Sequence, residues 1–190
     1  MQDKIRIALK ESIDVKNEVL KKLVPDIEKA ARLMIAALQR GNKILFFGNG
    51  GSAADSQHLA AELIGRFLKE RKSLPAIALA TDTSILTALS NDYGFEIVFA
   101  RQIEGLAKAG DVAFGISTSG NSKNVLEGVE KAKEMGCKTI GLLGGNGGRI
   151  AEVVDAALIV PSKSTPRIQE SHITIGHILC GLIEQELFPA

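Results

Sequence analysis

The amino-acid sequence predicts an α/β fold in which a doubly wound, five-stranded parallel sheet follows a pair of N-terminal helices. Five short apolar runs, each of strand length, alternate with longer stretches of helical character. Strands that are buried on both faces by crossover helices have this pattern. The 190 residues contain no internal repeat and no linker. We therefore expect a single domain over residues 1–190, with the helical pair in 1–41 and the sheet in 42–190.

The part of the chain before the first strand-like run predicts two antiparallel helices, over residues 3–23 and 26–40. Pro25 suits the start of the second helix, and Gly41 suits its end. The first helix carries an apolar stripe, made of Ile5, Leu9, Ile13 and Leu20. Because these helices must bury their apolar sides, they either cover the sheet or pair with another subunit.

The strands of the sheet are predicted at Lys43–Phe47, Ala76–Ala80, Val112–Ser117, Thr139–Leu143 and Ala156–Val160. The helices between and after them are predicted at residues 52–68, 84–90 with 95–109, 122–135, about 148–154 and about 167–187. In an open parallel sheet, ligands bind beyond the carboxyl ends of the strands. The turns after the first four strands are therefore where we expect the chemistry.

Composition and charge exclude several classes of protein. The net charge is +1, with 45% hydrophobic and 24% charged residues, so nothing indicates a nucleic-acid or acidic-membrane partner. The sequence has no uncharged apolar stretch long enough to cross a bilayer. The two cysteines, Cys137 and Cys180, form no CxxC pair, which suits a reducing compartment. We expect a cytoplasmic protein.

The turn after the first strand combines glycines with a helix start. The segment Gly48–Glu62 reads GNGGSAADSQHLAAE. Its glycines allow a ligand to approach the backbone closely, and free N–H groups at the helix start favour anions. His58 and Glu62 are four residues apart, so they share one face of that helix. A solvated i,i+4 pair is the default interpretation, but the preceding turn favours metal binding or proton transfer.

The turn after the third strand is rich in hydroxyl groups. Residues 117–122 read STSGNS and lead into a helix. A phosphate needs several convergent donors, and neutral donors suffice where a helix dipole assists. An N-cap with a turn would need only one or two of these residues, so we favour phosphate binding. The glycines of residues 141–148 are interpreted as a tight strand-to-helix connection, because neither a GxGxxG after the first strand nor a GxxxxGK[ST] is present.

The last predicted helix carries further polar residues that could bind a metal. Gln169 and His177 are eight residues apart, which separates them by about 80° and about 12 Å on a regular helix. Both reach one ion only by extending toward it, through an irregular helix, or with a neighbouring subunit contributing one of them. His172 faces away from His177 and is predicted to pack or to hydrogen-bond. Two histidines, a glutamate and a glutamine oxygen form a plausible site for a borderline ion such as zinc.

Taken together, these motifs resemble the sugar isomerase (SIS) domain family, whose sheet is flavodoxin-like. GNGGSAADSQHLAAE, STSGNS and RIQESHITIGH resemble more closely the bacterial phosphoheptose isomerases. The resemblance covers essentially the whole chain. It implies an isomerase that converts sedoheptulose 7-phosphate to D-glycero-D-manno-heptose 7-phosphate, the first step toward ADP- or GDP-heptose. It also implies a homotetramer with active sites between subunits.

The resemblance further implies a role for each matching residue. The sugar site would be lined by Asn49, Gly50, Gly51 and Ser52. The phosphate would be held by Ser117, Thr118, Ser119 and Ser122. Substrate hydroxyls would be contacted by Asn91 and Asp92, although Asn-Asp-Tyr-Gly alone reads as a plain turn. One zinc ion per subunit would be surrounded by His58, Glu62, Gln169 and His177. Glu62 and Gln169 would also lie near the substrate.

Isomerisation through an enediol needs a base for the carbon-bound proton and a group that moves the oxygen-bound protons. Glu62 and His177 are the predicted acid/base pair. A carboxylate bound to zinc is a weaker base, so Glu62 is either a base that changes its coordination or mainly a ligand, with His177 moving the proton. Two other functions remain open. One is a non-catalytic SIS protein that binds the replication initiator, and the other is a different sugar-phosphate isomerase.

Overall fold

The computed structural model describes residues 1–189 and contains one five-stranded, fully parallel sheet. The strands are β1 (Ile44–Gly48), β2 (Ala76–Ala78), β3 (Val112–Ser117), β4 (Lys138–Gly144) and β5 (Ala156–Val160). Their order across the sheet is β2-β1-β3-β4-β5. This is a doubly wound order with a switch point beside β1, so the predicted fold class is confirmed. Each strand lies within two residues of its predicted bounds.

Eight α-helices accompany the sheet in the described part of the chain. They are α1 (Gln2–Lys22), α2 (Val24–Gln39), α3 (Gly51–Ile64), α4 (Thr83–Tyr93), α5 (Val98–Leu106), α6 (Lys123–Glu134), α7 (Gly148–Val153) and α8 (Thr165–Leu187), with a short 3₁₀ turn at Phe95–Ile97. Alternate side chains of β1 enter two cores, because successive residues of a strand point to opposite faces. Ile44 and Phe46 pack with α2, α3 and α8, whereas Leu45 and Phe47 pack with α5, α6 and α7.

The two N-terminal helices have different surroundings. α2 buries its apolar side against the sheet and α8. α1 contacts α2 and α8, but its predicted apolar stripe faces outward. The four residues of that stripe, Ile5, Leu9, Ile13 and Leu20, are 54–68% exposed. Of the two alternatives left by the sequence, covering the sheet therefore applies to α2 and not to the stripe of α1.

The helix predicted at residues 52–68 ends earlier, at Ile64. In a longer helix, the Phe67 N–H would bond to the carbonyl of Leu63, four residues before it. Instead the N–H groups of Phe67, Leu68 and Lys69 all donate to the carboxylate of Glu184. Glu184, which is distant in the sequence, thus ends α3. The apolar residues of this segment made a longer helix the expectation from sequence.

The helix predicted at residues 84–90 is longer than expected. Asp82 caps its start, since its side chain accepts a hydrogen bond from the Ile85 N–H at 2.9 Å. Asn91 and Asp92 form part of the last turn of α4, so their interpretation as a plain turn is wrong. The helix ends at Tyr93, and the next residue, Gly94, has a φ of 99°, which glycine adopts readily. Among residues 1–189, no helix combines the length and the apolar character needed to cross a membrane.

Candidate active site

The turn after β1 meets β3 at the carboxyl edge of the sheet. We call residues 48–52 the glycine turn. A Cβ on Gly48 would lie 2.7 Å from the Ile116 carbonyl oxygen, so only glycine fits at this contact. Gly50 has a φ of 54°, and α3 begins directly after it at Gly51. The predicted strand, glycine turn and helix start therefore form one unit, with the backbone N–H groups of the first helical turn at the sheet edge.

A reciprocal amide pair joins the glycine turn to α6. The side chain of Asn49 donates to Asn124 Oδ1 at 2.8 Å and accepts a second bond from Asn124 Nδ2, also at 2.8 Å. Asn124 is buried in the first turn of α6. This pair fixes the glycine turn against the segment that follows β3. Asn124 could not be predicted from the sequence, because only the sheet order makes the turns after β1 and β3 neighbours.

The hydroxyl loop, residues 117–122, follows β3. The Oγ of Ser117 lies 2.9 Å from that of Ser122 and 3.5 Å from that of Ser119. Ser122 directly precedes α6, but its side chain makes no capping bond to the helix. The alternative of simple N-capping would require such a bond. Three hydroxyls thus converge beside a helix start whose first N–H groups receive no bond from the Ser122 side chain, which is a suitable environment for an anion.

The glycine-rich connection between β4 and α7 supports the hydroxyl loop from one side. Gly120 has a φ of 66°, and a Cβ there would overlap the carbonyl oxygen of Gly147. The Ile150 N–H donates to the Gly120 carbonyl at 3.0 Å, and the Arg149 N–H donates to Asn121 Oδ1 at 3.1 Å. These glycines form the predicted tight connection, and they also hold the hydroxyl loop in place.

A second cluster of predicted site residues lies between α3 and α8. We call it the His58–Glu62–His177 group. The Nε2 atoms of the two histidines are 2.8 Å apart, and His58 Nε2 lies 3.2 Å from Glu62 Oε1. One ligand atom from each residue lies within 4.8 Å of the others. Two imidazole nitrogens and one carboxylate oxygen are the protein donors of one class of catalytic zinc site. The side chain of His58 is 46% exposed, so this position is accessible.

Gln169, the fourth predicted ligand, lies at the start of α3. Its side-chain amide lies against Gly51, so closely that a Cβ on that glycine would overlap it. α8 is a continuous α-helix from Thr165 to Leu187. The alternative that an irregular helix brings Gln169 and His177 together is therefore wrong. The two residues remain about 12 Å apart along the axis of α8.

The two parts of the candidate site are separated along α3. The helix begins at Gly51, so its rise places His58 about 10 Å and Glu62 about 16 Å from that start along the axis. The glycine turn and the hydroxyl loop form one end of the site, and the His58–Glu62–His177 group forms the other. A small molecule that engages both ends must be long.

Comparison with known proteins identifies the family. A model of the SIS domain matches residues 9–144. A phosphoheptose isomerase from a Nitratiruptor species is 67% identical over 159 residues, which are 84% of this chain and 85% of that protein. The phosphoheptose isomerase of Aquifex aeolicus is 56% identical over 97% of both chains.

The chain belongs to the phosphoheptose isomerase family of SIS-domain proteins. The structure of phosphoheptose isomerase from Neisseria gonorrhoeae superposes with a TM-score of 0.93 at 48% identity, over 97% of this chain and 98% of that one. The resemblance seen in the sequence is confirmed, and so is the prediction of an enzyme of this family.

One residue of this SIS domain that the sequence analysis missed is Asp55. It lies three residues before His58 and seven before Glu62, so the three side chains share one face of α3. Burial raises the pKa of the Asp55 carboxyl, while the nearby His58 and His177 act in the opposite direction. Its Oδ2 atom is buried and has no hydrogen-bond partner among the described residues. The i, i+3, i+7 spacing of Asp55, His58 and Glu62 is the feature of the sequence that could have identified Asp55.

The remaining predicted residues make no hydrogen bond to this group among the described residues. His172 is fully buried, and its Nε2 lies 2.9 Å from the Leu143 carbonyl oxygen, so the predicted packing role is observed. Burial lowers the pKa of His172 to about 4, opposed by the bond to Leu143. Asn91 donates to Asp92 Oδ1 at 2.8 Å, and both are exposed on α4. Within residues 1–189, no side-chain hydrogen bond links this pair to the other predicted site residues.

Proposed function

We propose that the protein is an aldose–ketose isomerase that converts sedoheptulose 7-phosphate to D-glycero-D-manno-heptose 7-phosphate. The observation that carries the proposal is the separation of two ends along α3. Converging hydroxyls beside the start of α6 lie at one end, and the His58–Glu62–His177 group lies at the other. An extended seven-carbon sugar phosphate has its phosphate and its reacting carbons at opposite ends. Relatives 56–67% identical over most of the chain carry the name phosphoheptose isomerase, which supports this substrate.

The phosphate would bind at the hydroxyl loop. Ser117, Ser119 and Ser122 supply converging hydroxyls, and Thr118 is only partly buried among them. The start of α6 adds backbone N–H groups and the positive end of its dipole. Binding energy gained here, far from the reacting carbons, would orient the sugar. The sugar itself would lie along Asn49, Gly50, Gly51 and Ser52, with Gln169 beside Gly51. Asn91 and Asp92 would reach its hydroxyls in the assembled protein.

The His58–Glu62–His177 group would move the protons. In this isomerisation a proton leaves C1 of the ketose and a proton is added to C2, while the hydroxyl hydrogen passes from O1 to O2 through an enediol. Glu62 is the proposed base at carbon, and His177 the proposed carrier of the oxygen-bound proton. If Glu62 is mainly a metal ligand, His177 takes the proton from carbon. The two assignments differ in which variant abolishes exchange of the C1 hydrogen with solvent.

The group would hold one zinc ion per subunit. His58, Glu62 and His177 supply the three donors described above, and Gln169 is the proposed fourth. Because Gln169 lies about two turns of α8 from His177, we propose that it reaches the ion by extension or from a neighbouring subunit. When bound, the ion supplies Lewis-acid polarisation of the substrate carbonyl.

The proposed assembly is a homotetramer with active sites between subunits. Two uncovered apolar surfaces support it, namely the exposed stripe of α1 and a groove of about 720 Å³ between α2 and α8. Ile178, next to His177, lines that groove and is 42% exposed. A protein-protein contact here would border the proton-transfer group. We further propose that residues 1–190 act as one domain in the cytoplasm, where the free, buried Cys137 and Cys180 remain reduced.

The test is incubation with sedoheptulose 7-phosphate, with and without a chelator, and detection of an aldoheptose phosphate. We expect product with the metal-loaded protein, loss of product with the chelator, and recovery when zinc is added back. Activity that survives complete removal of metal would contradict the zinc assignment alone. Turnover of a hexulose phosphate without turnover of sedoheptulose 7-phosphate would contradict the substrate assignment. Binding of the replication initiator without any isomerase activity would contradict the proposed enzymatic function.

A further inference from the structure

A buried carboxylate on α8 organises the segment that follows α3. The side chain of Glu184 is 2% exposed. It accepts hydrogen bonds from the backbone N–H groups of Phe67, Leu68 and Lys69 at 2.8–2.9 Å. Burial alone would raise the pKa of Glu184, yet these three donors and Arg71 hold that pKa below its ordinary value. The group is therefore a fixed carboxylate that no proton-transfer step described above uses.

Arg71 forms a buried ion pair with Glu184. Its side chain is 1% exposed, and its Nε donates to Glu184 Oε1 at 2.9 Å. Its remaining nitrogens donate at 2.7–3.1 Å to the backbone carbonyls of Glu62, Leu63, Gly65 and Lys72. The planar fork of a guanidinium suits several acceptors at fixed angles, which a lysine cannot match. The pair is thus saturated with hydrogen bonds despite its burial.

This ion pair connects the two helices that carry the His58–Glu62–His177 group. Arg71 bonds to the carbonyl of Glu62 itself, on α3. Glu184 lies seven residues after His177 on α8, so the two share one face about two turns apart. Phe67 contacts both, since its N–H donates to Glu184 and its ring lies 5.3 Å from the ring of His177, centroid to centroid. Glu62 and His177 are therefore both located relative to one buried pair.

The energetics favour a positional role over a purely stabilising one. Burying two charges costs several kcal/mol each, and a well-packed apolar pair often stabilises a fold as well or better. The retained pair fixes backbone and ring positions that apolar side chains would leave less defined. Groups that orient metal or proton-transfer ligands in this way typically change metal affinity or activity by about 10- to 100-fold when altered.

We propose that Arg71 and Glu184 are positioning residues that set the spacing of Glu62 and His177 and hold Phe67 against the His177 ring. The inference rests on the proposed function, because it concerns the same group. It predicts that weakening the pair lowers kcat and metal affinity and leaves KM nearly unchanged. The proposed phosphate end of the site lies between other elements, β3 and α6, and we therefore expect KM to change little.

The test compares Glu184→Gln with a matched control, Asp111→Asn. Asp111 is also a buried carboxylate that accepts several bonds, from Asn42, Lys43 and Lys108, but these partners lie in the segments before β1 and β3 and not on α3 or α8. Three quantities are measured on each protein: the melting temperature, the affinity for zinc by chelator competition, and the kinetics with sedoheptulose 7-phosphate. The visible spectrum of the cobalt(II)-substituted protein reports the geometry of the group without any substrate.

For Glu184→Gln we expect kcat and zinc affinity to fall by about 10- to 100-fold, KM to change by less than about 3-fold, and the cobalt spectrum to shift. Asp111→Asn should lower the melting temperature and leave the other quantities at the wild-type level. If Glu184→Gln does not fold, Arg71→Lys is measured in its place, because it keeps the charge and loses the fork. Wild-type kcat, zinc affinity and cobalt spectrum in the variant that folds would overturn the proposal.

The metal measurements separate this inference from the proposed function. If the wild-type protein binds zinc but does not convert sedoheptulose 7-phosphate, the proposed function fails. A loss of zinc affinity and a shifted cobalt spectrum in Glu184→Gln would still support the positioning role. If the wild-type protein turns over the substrate and Glu184→Gln lowers only its melting temperature, the inference fails and the proposed function stands.

Discussion

The two ends of the candidate site are constructed in different ways. The hydroxyl loop consists of six consecutive residues, three of whose hydroxyls lie within 3.5 Å of one another or of a shared partner, Ser117, and a neighbouring glycine connection supports it. In the His58–Glu62–His177 group, the two histidines are 119 residues apart and come from two helices. One end is a local structure, and the other depends on how α3 and α8 pack. Mutations should therefore separate substrate binding from chemistry.

The largest expected effect is at the end that depends on packing. Glu62→Gln keeps the size of the side chain and removes its basicity, so kcat should fall by about 10²- to 10⁴-fold with little change in KM. His177→Gln should behave similarly. Steady-state kinetics with sedoheptulose 7-phosphate measure both parameters, and an unchanged melting temperature serves as the control for folding. Near-wild-type turnover in both variants would remove the acid/base assignment.

The hydroxyl loop should be sensitive to backbone conformation. Gly120→Ala places a Cβ where it would overlap the Gly147 carbonyl, at a φ of 66°. We expect a loss of stability of about 2–4 kcal/mol, measured by urea unfolding. The matched control is Gly105→Ala, since Gly105 is exposed within α5 and a Cβ there meets nothing within 4 Å. The control should be neutral or slightly stabilising, by up to about 1 kcal/mol. Equal effects of both changes would contradict the account of the loop.

His172 lies on the same helix as His177 but is buried in the core, so its effect on stability can be measured apart from the site. Its pKa is about 4 in the folded protein, against 6.5 for an unperturbed histidine. As the pH falls from about 6.5 to about 4, the unfolded chain binds a proton that the folded chain does not. The wild type should therefore lose up to about 3 kcal/mol of stability in this range through His172 alone. His172→Gln, which can still donate to Leu143, should lack this component. Parallel stability curves for the two proteins would show that His172 does not titrate as described.

The smallest expected effect is on phosphate binding. Ser122→Ala removes one of three converging hydroxyls, and a hydrogen bond to a charged group contributes about 1.5–3 kcal/mol. KM for sedoheptulose 7-phosphate should rise by about 10- to 100-fold, while kcat stays within a few-fold of wild type. Ser84→Ala, on the exposed start of α4, is the control and should change neither parameter. A fall in kcat at constant KM would instead assign Ser122 to the chemistry.

The sequence predicted the local end of the site better than the end that depends on packing. The alternation of short apolar runs with helical stretches located the sheet, and the hydroxyls that converge in the loop are adjacent in the sequence as well. The end of α3 was misplaced because Phe67 and Leu68 look helical, and their N–H groups are bound by Glu184 more than 100 residues later. The contact between Asn49 and Asn124 likewise follows from the sheet order and not from any local signal. The position of Gln169 at Gly51 also required the packed structure.

The most direct measurement of the central claim compares kcat/KM for sedoheptulose 7-phosphate and for unphosphorylated sedoheptulose, in the wild type and in Ser122→Ala. If the hydroxyl loop holds a phosphate at a distance from the proton-transfer group, the wild type should strongly prefer the phosphorylated sugar. Ser122→Ala should reduce that preference and leave the slow turnover of sedoheptulose unchanged. Comparable kcat/KM values for the two sugars in the wild type would contradict the division of the site into a phosphate end and a proton-transfer end.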